Sequence, residues 1–282
     1  MEKFNFLVIG RGSMGQRRIK DLRNLGYFVK DWDIKDNVDI PNLKEFGALI
    51  ISTPPQNHNF YIEKAIENNI PAFVEASVVL DDLERLNELA KEKKVLIAPS
   101  CTFKFDKYVQ SLKKILDSGN IGKPLNFSYH LGYHLSLWHK NADYKTYYAA
   151  QKLTGGAKEM VTFDLTWLSW LFGMPEELRG FFGKTTDLGA EADDTYALSL
   201  KVGNILGVMV SDIVSRDYTK RLLFNTDQCQ IRQDWDEVDE NMYLEEMKAF
   251  IDAVKGEKSF PNDLDSDIKI LKLLEDFEKK NG

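Results

Sequence analysis

The chain has 282 residues, 43% hydrophobic and 29% charged, a composition that excludes a disordered, collagen-like or membrane-embedded protein. Its 37 basic and 44 acidic residues leave a net charge of −7, so no basic field is available to neutralise nucleic-acid phosphates. The two cysteines, Cys101 and Cys229, support neither a disulfide framework nor a four-ligand zinc site, and no stretch approaches the roughly 18 apolar residues of a membrane helix.

At about 150 residues per domain, the length predicts two domains. The apolar run Phe6-Leu7-Val8-Ile9 reads as a strand and leads straight into a glycine turn, where a signal peptide would need a longer apolar stretch and a cleavage site. The expected compartment is the cytoplasm, with no membrane or nucleic-acid partner. A helix over 13–25, a strand over 27–33, a strand over 48–51 stopped by Pro54-Pro55, and a helix over 57–69 follow. Next come a strand at 72–74, a helix over 81–93, a strand at 95–98 and a helix over 106–118. Near-continuous apolar strands separated by helices predict a doubly wound α/β parallel sheet, covered on both faces, for a Rossmann domain of residues 1–121.

Gly119, Gly122 and Pro124 punctuate the chain, and a second domain is expected over 122–282. Residues 125–137 alternate strictly, with Leu125, Phe127, Tyr129, Leu131, Tyr133, Leu135 and Leu137 on one face, the signature of a half-buried strand. A helix over 157–171, strands over 178–183, 195–202, 205–214 and 221–224, and helices over 242–254 and 265–279 complete an α+β domain with an open, mainly antiparallel sheet. The aromatic and aliphatic face of 125–137 is expected to need more cover than these helices give, which predicts a homodimer or homotetramer.

Gly10-Arg11-Gly12-Ser13-Met14-Gly15 is G-x-G-x-x-G between the first strand and first helix. The first glycine permits the tight turn, the second lets backbone approach a pyrophosphate, and the third allows close helix-strand packing. Asp33 ends the second strand, where a carboxylate accepts hydrogen bonds from adenosine ribose hydroxyls and repels a 2′-phosphate. The expected cofactor is therefore NAD, with NADP disfavoured, although Arg11, Lys30 and Lys35 leave dual specificity open.

With Thr53-Pro54-Pro55-Gln56-Asn57-His58 and Val74-Glu75 added, the sequence resembles the glucose-fructose oxidoreductase / inositol dehydrogenase / MocA family. The likeness continues through 117–124, Gly155-Gly156, Trp170-Leu171-Phe172-Gly173, 247–251 and Pro261. It implies a nicotinamide-dependent oxidoreductase of sugars or related polyols, with Thr53, Pro54 and His58 lining the cofactor cleft and Glu75 near the nicotinamide ribose. Two family positions differ. Glu75-Ala76-Ser77 stands where Glu-Lys-Pro is usual, and the central helix carries Glu159 and Phe163 where the family has Asp and an acid/base His. Glu159 is the expected proton-transfer group, and Asp164 points about 100° away from Phe163 on a helix.

His130, His134 and His139 lie close in sequence, but strand positions i and i+4 are about 13 Å apart, so no metal site is expected. His139, in a stretch with Trp138, Asp143 and Tyr144 that resembles a family branch associated with bacterial surface-sugar biosynthesis, is a candidate substrate-side acid/base. Tyr144 and Lys104 are candidate substrate contacts, Lys104 because it follows the fifth strand at the carboxyl edge where α/β sheets bind ligands. Trp167 and Trp170 read as core. The expected function is an NAD-dependent oxidoreductase of a sugar, sugar nucleotide or acidic sugar; the competing reading is a ligand-binding relative whose chemistry has lapsed.

Overall fold

The computed structural model describes residues 4–138 and 143–282. The chain divides into two compact units, Met1–Phe105 with Glu240–Ile268 and Asp106–Asp239 with Lys269–Gly282.

In the first unit, β1 (Asn5–Ile9), α1 (Ser13–Asn24), β2 (Phe28–Trp32), β3 (Ala48–Ile51), α2 (His58–Glu67), β4 (Ala72–Val74), α3 (Leu83–Lys93) and β5 (Ile97–Pro99) alternate. The five strands form an all-parallel sheet in the order β2-β1-β3-β4-β5. The chain crosses over between β2 and β3, so the carboxyl ends of β1 and β3 flank the switch point where such sheets bind ligands. Phe6, Leu7, Val8 and Ile9 of β1 and all of β3 are wholly buried, which is why these strands are continuously rather than alternately apolar.

The second unit begins earlier than residue 122, with α4 (Lys107–Asp117). Asp106 caps this helix by accepting from the N–H groups of Tyr108 and Val109, and it also accepts from Trp235 Nε1 at 3.1 Å. These bonds tie the helix to the second unit. There follow β6 (Pro124–Gly132), α5 (Leu135–Trp138), α6 (Ala157–Phe172), β7 (Glu177–Gly183), β8 (Thr195–Val202), β9 (Ile205–Asp212), β10 (Thr219–Thr226) and β11 (Gln230–Asp234). The sheet order is β11-β10-β6-β9-β8-β7, antiparallel except for the β6/β9 pair. The polar edge strand β11 carries no apolar alternation and is absent from the sequence-based elements.

The alternating run over 125–137 forms a strand only as far as Gly132. His134 Nδ1 accepts from the N–H of Ser136 and lies 2.8 Å from its Oγ, so a local cap turns the chain into α5 and Leu135 is buried from a helical turn. The aromatic face of β6 also has a cover of its own. Phe127 stacks on Phe172 at 4.7 Å and Tyr129 meets Trp167 edge-on at 5.3 Å, both partners being on α6. That corrects the argument that this face needs a second subunit. Trp167 is core, and Trp170 is only half-buried.

The last two helices do not stay with the second unit. Helix α7 (Asn241–Val254) belongs to the first unit, where Met247, Phe250 and Ile251 join Phe6, Val8, Ile50 and Phe73 in one core. Helix α8 (Leu264–Asn281) contributes its start to the first unit and, from Lys269 on, its remainder to the second.

Candidate cofactor and catalytic sites

Gly10 follows β1 with φ +96°, and a Cβ there would stand 2.6 Å from the Ser52 carbonyl oxygen; a Cβ on Gly15 would stand 1.9 Å from the Gly10 carbonyl oxygen. Neither position tolerates a side chain without moving backbone. A Cβ on Gly12 would meet nothing within 4 Å, so the turn is open on that side. Gly12 is also the N-cap of α1, with no side-chain cap and no acidic residue in the first turn. The helix start therefore presents N–H groups and positive potential with no side-chain cap among the described residues, an arrangement that fits a pyrophosphate.

Asp33 lies one residue beyond β2. Its Oδ2 accepts from the backbone N–H of Arg11 at 2.9 Å and its Oδ1 from that of Lys35 at 3.0 Å. Burial raises its carboxyl pKa, but these two bonds and the charges of Lys35 and Arg11 outweigh that and hold it below the ordinary value. The carboxylate is ionised and fixed in direction, with lone pairs left for ribose hydroxyls.

Thr53 follows Ser52 just past β3, half-buried, with its Oγ1 shielded and without a hydrogen-bond partner among the described residues. Pro54 is exposed. His58 is buried beneath them, and its Nε2–H donates to the Thr53 carbonyl at 2.8 Å. Burial drives its pKa down to about 4, so the ring is neutral and braces the Thr53 loop instead of offering charge. Glu75, beyond β4, is held by Arg18: Nε to Oε1 at 2.7 Å and Nη2 to Oε2 at 3.1 Å. Arg18 is fully buried and also donates to Glu246 of α7 at 2.7 Å. Glu246 in turn accepts from Ser100 Oγ, the Cys101 N–H and Thr102 Oγ1. Sequence reading missed Arg18 and Glu246; the available signal was a charged residue on the apolar face of each helix.

Lys104 does not fulfil the expectation of an anion contact. It is buried, and its ammonium donates to the Pro261 carbonyl and to Asn262 Oδ1, both at 3.0 Å, tying the segment after α7 to the short helical turn Thr102–Phe105 that follows β5.

In the second unit, Glu159 stands in the first turn of α6. Its Oε1 accepts from Tyr148 OH at 2.9 Å, while Oε2 is shielded with no partner among the described residues. Burial pushes its pKa up to about 7 against the opposing pull of the Tyr148 bond. The turn that carries Tyr148 is clamped against the start of α6: the Gly156 N–H donates to the Ala149 carbonyl at 2.8 Å and Thr154 Oγ1 to the Tyr148 carbonyl at 3.0 Å. Gly155 is obligatory there, because a Cβ would stand 2.2 Å from the Ala149 carbonyl oxygen. Tyr148 was not among the sequence candidates.

Asp164 is buried on another face of α6, accepting from Trp167 Nε1 at 2.8 Å. Tyr144 donates its hydroxyl to the Leu188 carbonyl at 2.8 Å. His139 lies outside the described residues. His130 Nε2 meets Asp212 Oδ2 at 2.8 Å on the sheet, while His134 caps α5, so these two histidines have separate partners. Cys101 is buried and Cys229 exposed, both as free thiols. No helix among the described residues is long and apolar enough to cross a membrane.

Residues 109–232 match the family model of the GFO/IDH/MocA C-terminal domain. Over these residues the second unit is similar to the C-terminal domain of the glucose-fructose oxidoreductase / inositol dehydrogenase / MocA family. Over 107 residues, 37% of this chain, it is 31% identical to the scyllo-inositol 2-dehydrogenase (NAD(+)) of Bacillus subtilis (strain 168); the matched segment spans 30% of that enzyme. Two crystal structures share the fold over nearly the full length. A probable dehydrogenase from Thermotoga maritima superposes with a TM-score of 0.80 at 20% identity, covering 99% of this chain and 97% of that one. The WlbA dehydrogenase from Bordetella pertussis, in complex with NADH and UDP-GlcNAcA, gives 0.83 at 14% identity, covering 99% and 96%.

Proposed function

We propose that the chain is an oxidoreductase that uses NAD(H) in preference to NADP(H) and acts on a sugar, a sugar nucleotide or an acidic sugar derivative in the cytoplasm, with surface-polysaccharide biosynthesis as its setting. The observation that carries the reading is the open glycine turn at an uncapped helix start, with the braced Asp33 carboxylate at the end of the neighbouring strand. The dehydrogenases reported above, one acting on an inositol and one crystallised with a sugar nucleotide, support the substrate class.

The residues of 10–15 (Gly10, Arg11, Gly12, Ser13, Met14, Gly15) would receive the pyrophosphate through backbone N–H groups, Asp33 the adenosine ribose, and Thr53, Pro54 and Glu75 the nicotinamide end. A bound nicotinamide would exchange a hydride with the carbon that carries the reacting hydroxyl. Glu159 takes up or returns the hydroxyl proton; with a pKa of about 7 it is available in both protonation states at neutral pH. His139 and Tyr144 are assigned to the substrate side. Ala76 and Phe163, in place of the family's lysine and histidine, favour a second reading, a cofactor- or sugar-binding relative without turnover.

Fluorescence titration with NADH and NADPH, followed by a sugar and sugar-nucleotide panel read at the reduced-nicotinamide absorbance, tests both. Tighter NADH binding with turnover that Glu159→Gln lowers by about 10²-fold or more supports the enzyme. NADH binding without turnover on any sugar supports the second reading, and NADPH binding as tight as NADH refutes the cofactor assignment. Asp33→Ala should narrow the preference by about 1–2 kcal/mol.

A homo-oligomer, dimer or tetramer, is proposed on a different face from the one the sequence suggested. The side of the six-stranded sheet opposite α6 exposes Phe181 (83%), Leu206 (62%) and Val208 (51%) across β7 and β9. Light scattering that gives 32.4 kDa at micromolar concentration would refute it.

A further inference from the structure

Arg11 sits inside the glycine turn, and its backbone N–H is one of the two donors that hold Asp33. Its guanidinium charge also acts on Asp33, helping to hold down the pKa of the carboxylate that would bond the adenosine ribose. A guanidinium in this place would ordinarily invite a 2′-phosphate, because its planar fork matches phosphate oxygens. Here the fork is already engaged: Nη2 pairs with Asp36 Oδ1, and Nη1 lies 3.4 Å from Asp31 Oδ2.

Asp36 has a second role that fixes its position. Its other oxygen, Oδ2, accepts from the Asp33 N–H at 3.0 Å, while Asp33 Oδ1 accepts from the Lys35 N–H, a reciprocal cap around the short helical turn Ile34–Asp36. The same turn thus orients the ribose-binding carboxylate and supplies the counter-charge to Arg11.

Resting on the NAD(H) reading above, we propose that Asp36 and Asp31 hold Arg11 in an ion-paired lock, so that discrimination against a 2′-phosphate depends on this lock as well as on Asp33. A 2′-phosphate approaching Asp33 meets three carboxylates and a guanidinium whose charge is paired with Asp36 and Asp31 and whose two terminal nitrogens each already face one of them. Lys35 is exposed and near enough to favour the ionised Asp33, but a single ammonium cannot replace the bidentate fork. Exchanging the two lock aspartates for asparagine keeps the Asp36 side-chain oxygen as acceptor for the Asp33 N–H and removes the charge that retains Arg11.

The test is titration of the full chain with NADH and NADPH for the unsubstituted protein, Asp36→Asn, Asp31→Asn/Asp36→Asn, and the latter pair combined with Arg11→Met. In the double variant the ratio of NADPH to NADH affinity should rise about tenfold, the worth of one charge-assisted hydrogen bond discounted for partial exposure. Adding Arg11→Met should cancel most of that rise. The lock is overturned if the ratio stays put in both asparagine variants. It is equally overturned if the rise survives Arg11→Met, because removal of negative charge alone then accounts for it. An unsubstituted chain that binds neither cofactor overturns the NAD(H) reading and the lock with it, whereas NADH binding with an unmoved ratio removes only the lock.

Discussion

Glu159 is expected to destabilise the native second unit at neutral and alkaline pH, and Glu159→Gln should reveal by how much. The carboxyl is shielded at Oε2, has a single bond from Tyr148, and titrates near 7 in place of its ordinary 4.5. An acid whose folded pKa is raised binds more protons in the native state than in the unfolded one between those two values, so its contribution to stability falls as pH rises through that window. The full interval is worth at most about 3 kcal/mol. Glutamine accepts the same Tyr148 bond and does not titrate. Its buried amide costs about what the neutral acid costs, so the two proteins should be close in stability at pH 4–5. Above pH 7 the variant should be the more stable by about 2–3 kcal/mol, with most of the divergence between pH 4.5 and 7. Urea unfolding read by tryptophan fluorescence suits the measurement, because Trp138, Trp167, Trp170 and Trp235 all lie in the second unit and only Trp32 in the first. Parallel stability curves from pH 4.5 to 8 would refute the raised pKa, and with it the argument that Glu159 exchanges a proton at neutral pH.

Arg18→Met removes the bonds to Glu75 and leaves Glu246 buried without its counter-charge, which should cost the first unit about 3–5 kcal/mol and about 10 °C in Tm at pH 7.5. Because the stranded Glu246 can be neutralised by protonation, the deficit should shrink towards pH 5; calorimetry at the two pH values checks this, and an equal deficit at both would count against the ion pair. Gly15→Ala drives a methyl group into the Gly10 carbonyl and should lower stability by at least about 2 kcal/mol while weakening NADH binding, whereas Gly12→Ala, which meets nothing within 4 Å, should leave stability within about 1 kcal/mol.

What could be read from the sequence was local. The first strand, the glycine turn, the first helix and Asp33 lie within about 30 consecutive residues, and each is imposed by its neighbours: apolar residues for a strand buried on both faces, glycine where a side chain would strike backbone, and an acid where the second strand ends. The β-α alternation of the first unit and the strands of the second were legible for the same reason, since periodicity is a property of adjacent residues. The alternation misled beyond Gly132, where a cap from His134, a bond between residues two apart, prevailed over seven alternating positions.

Tertiary structure decided which surfaces meet, because burial is satisfied by any apolar partner of matching shape and the sequence does not say which. It returned α7 to the parallel sheet and so brought Glu246 to Arg18, 228 positions away. It laid Phe172 and Trp167 of α6 on the aromatic face of β6 and left the opposite face open. Lys104 was drawn inward to Pro261 and Asn262, and Tyr148 was set against Glu159. Arg11 shows both levels in one residue: its place in the glycine motif fixes where its backbone N–H points, while the company its guanidinium keeps depends on where β2 and the turn after it come to lie.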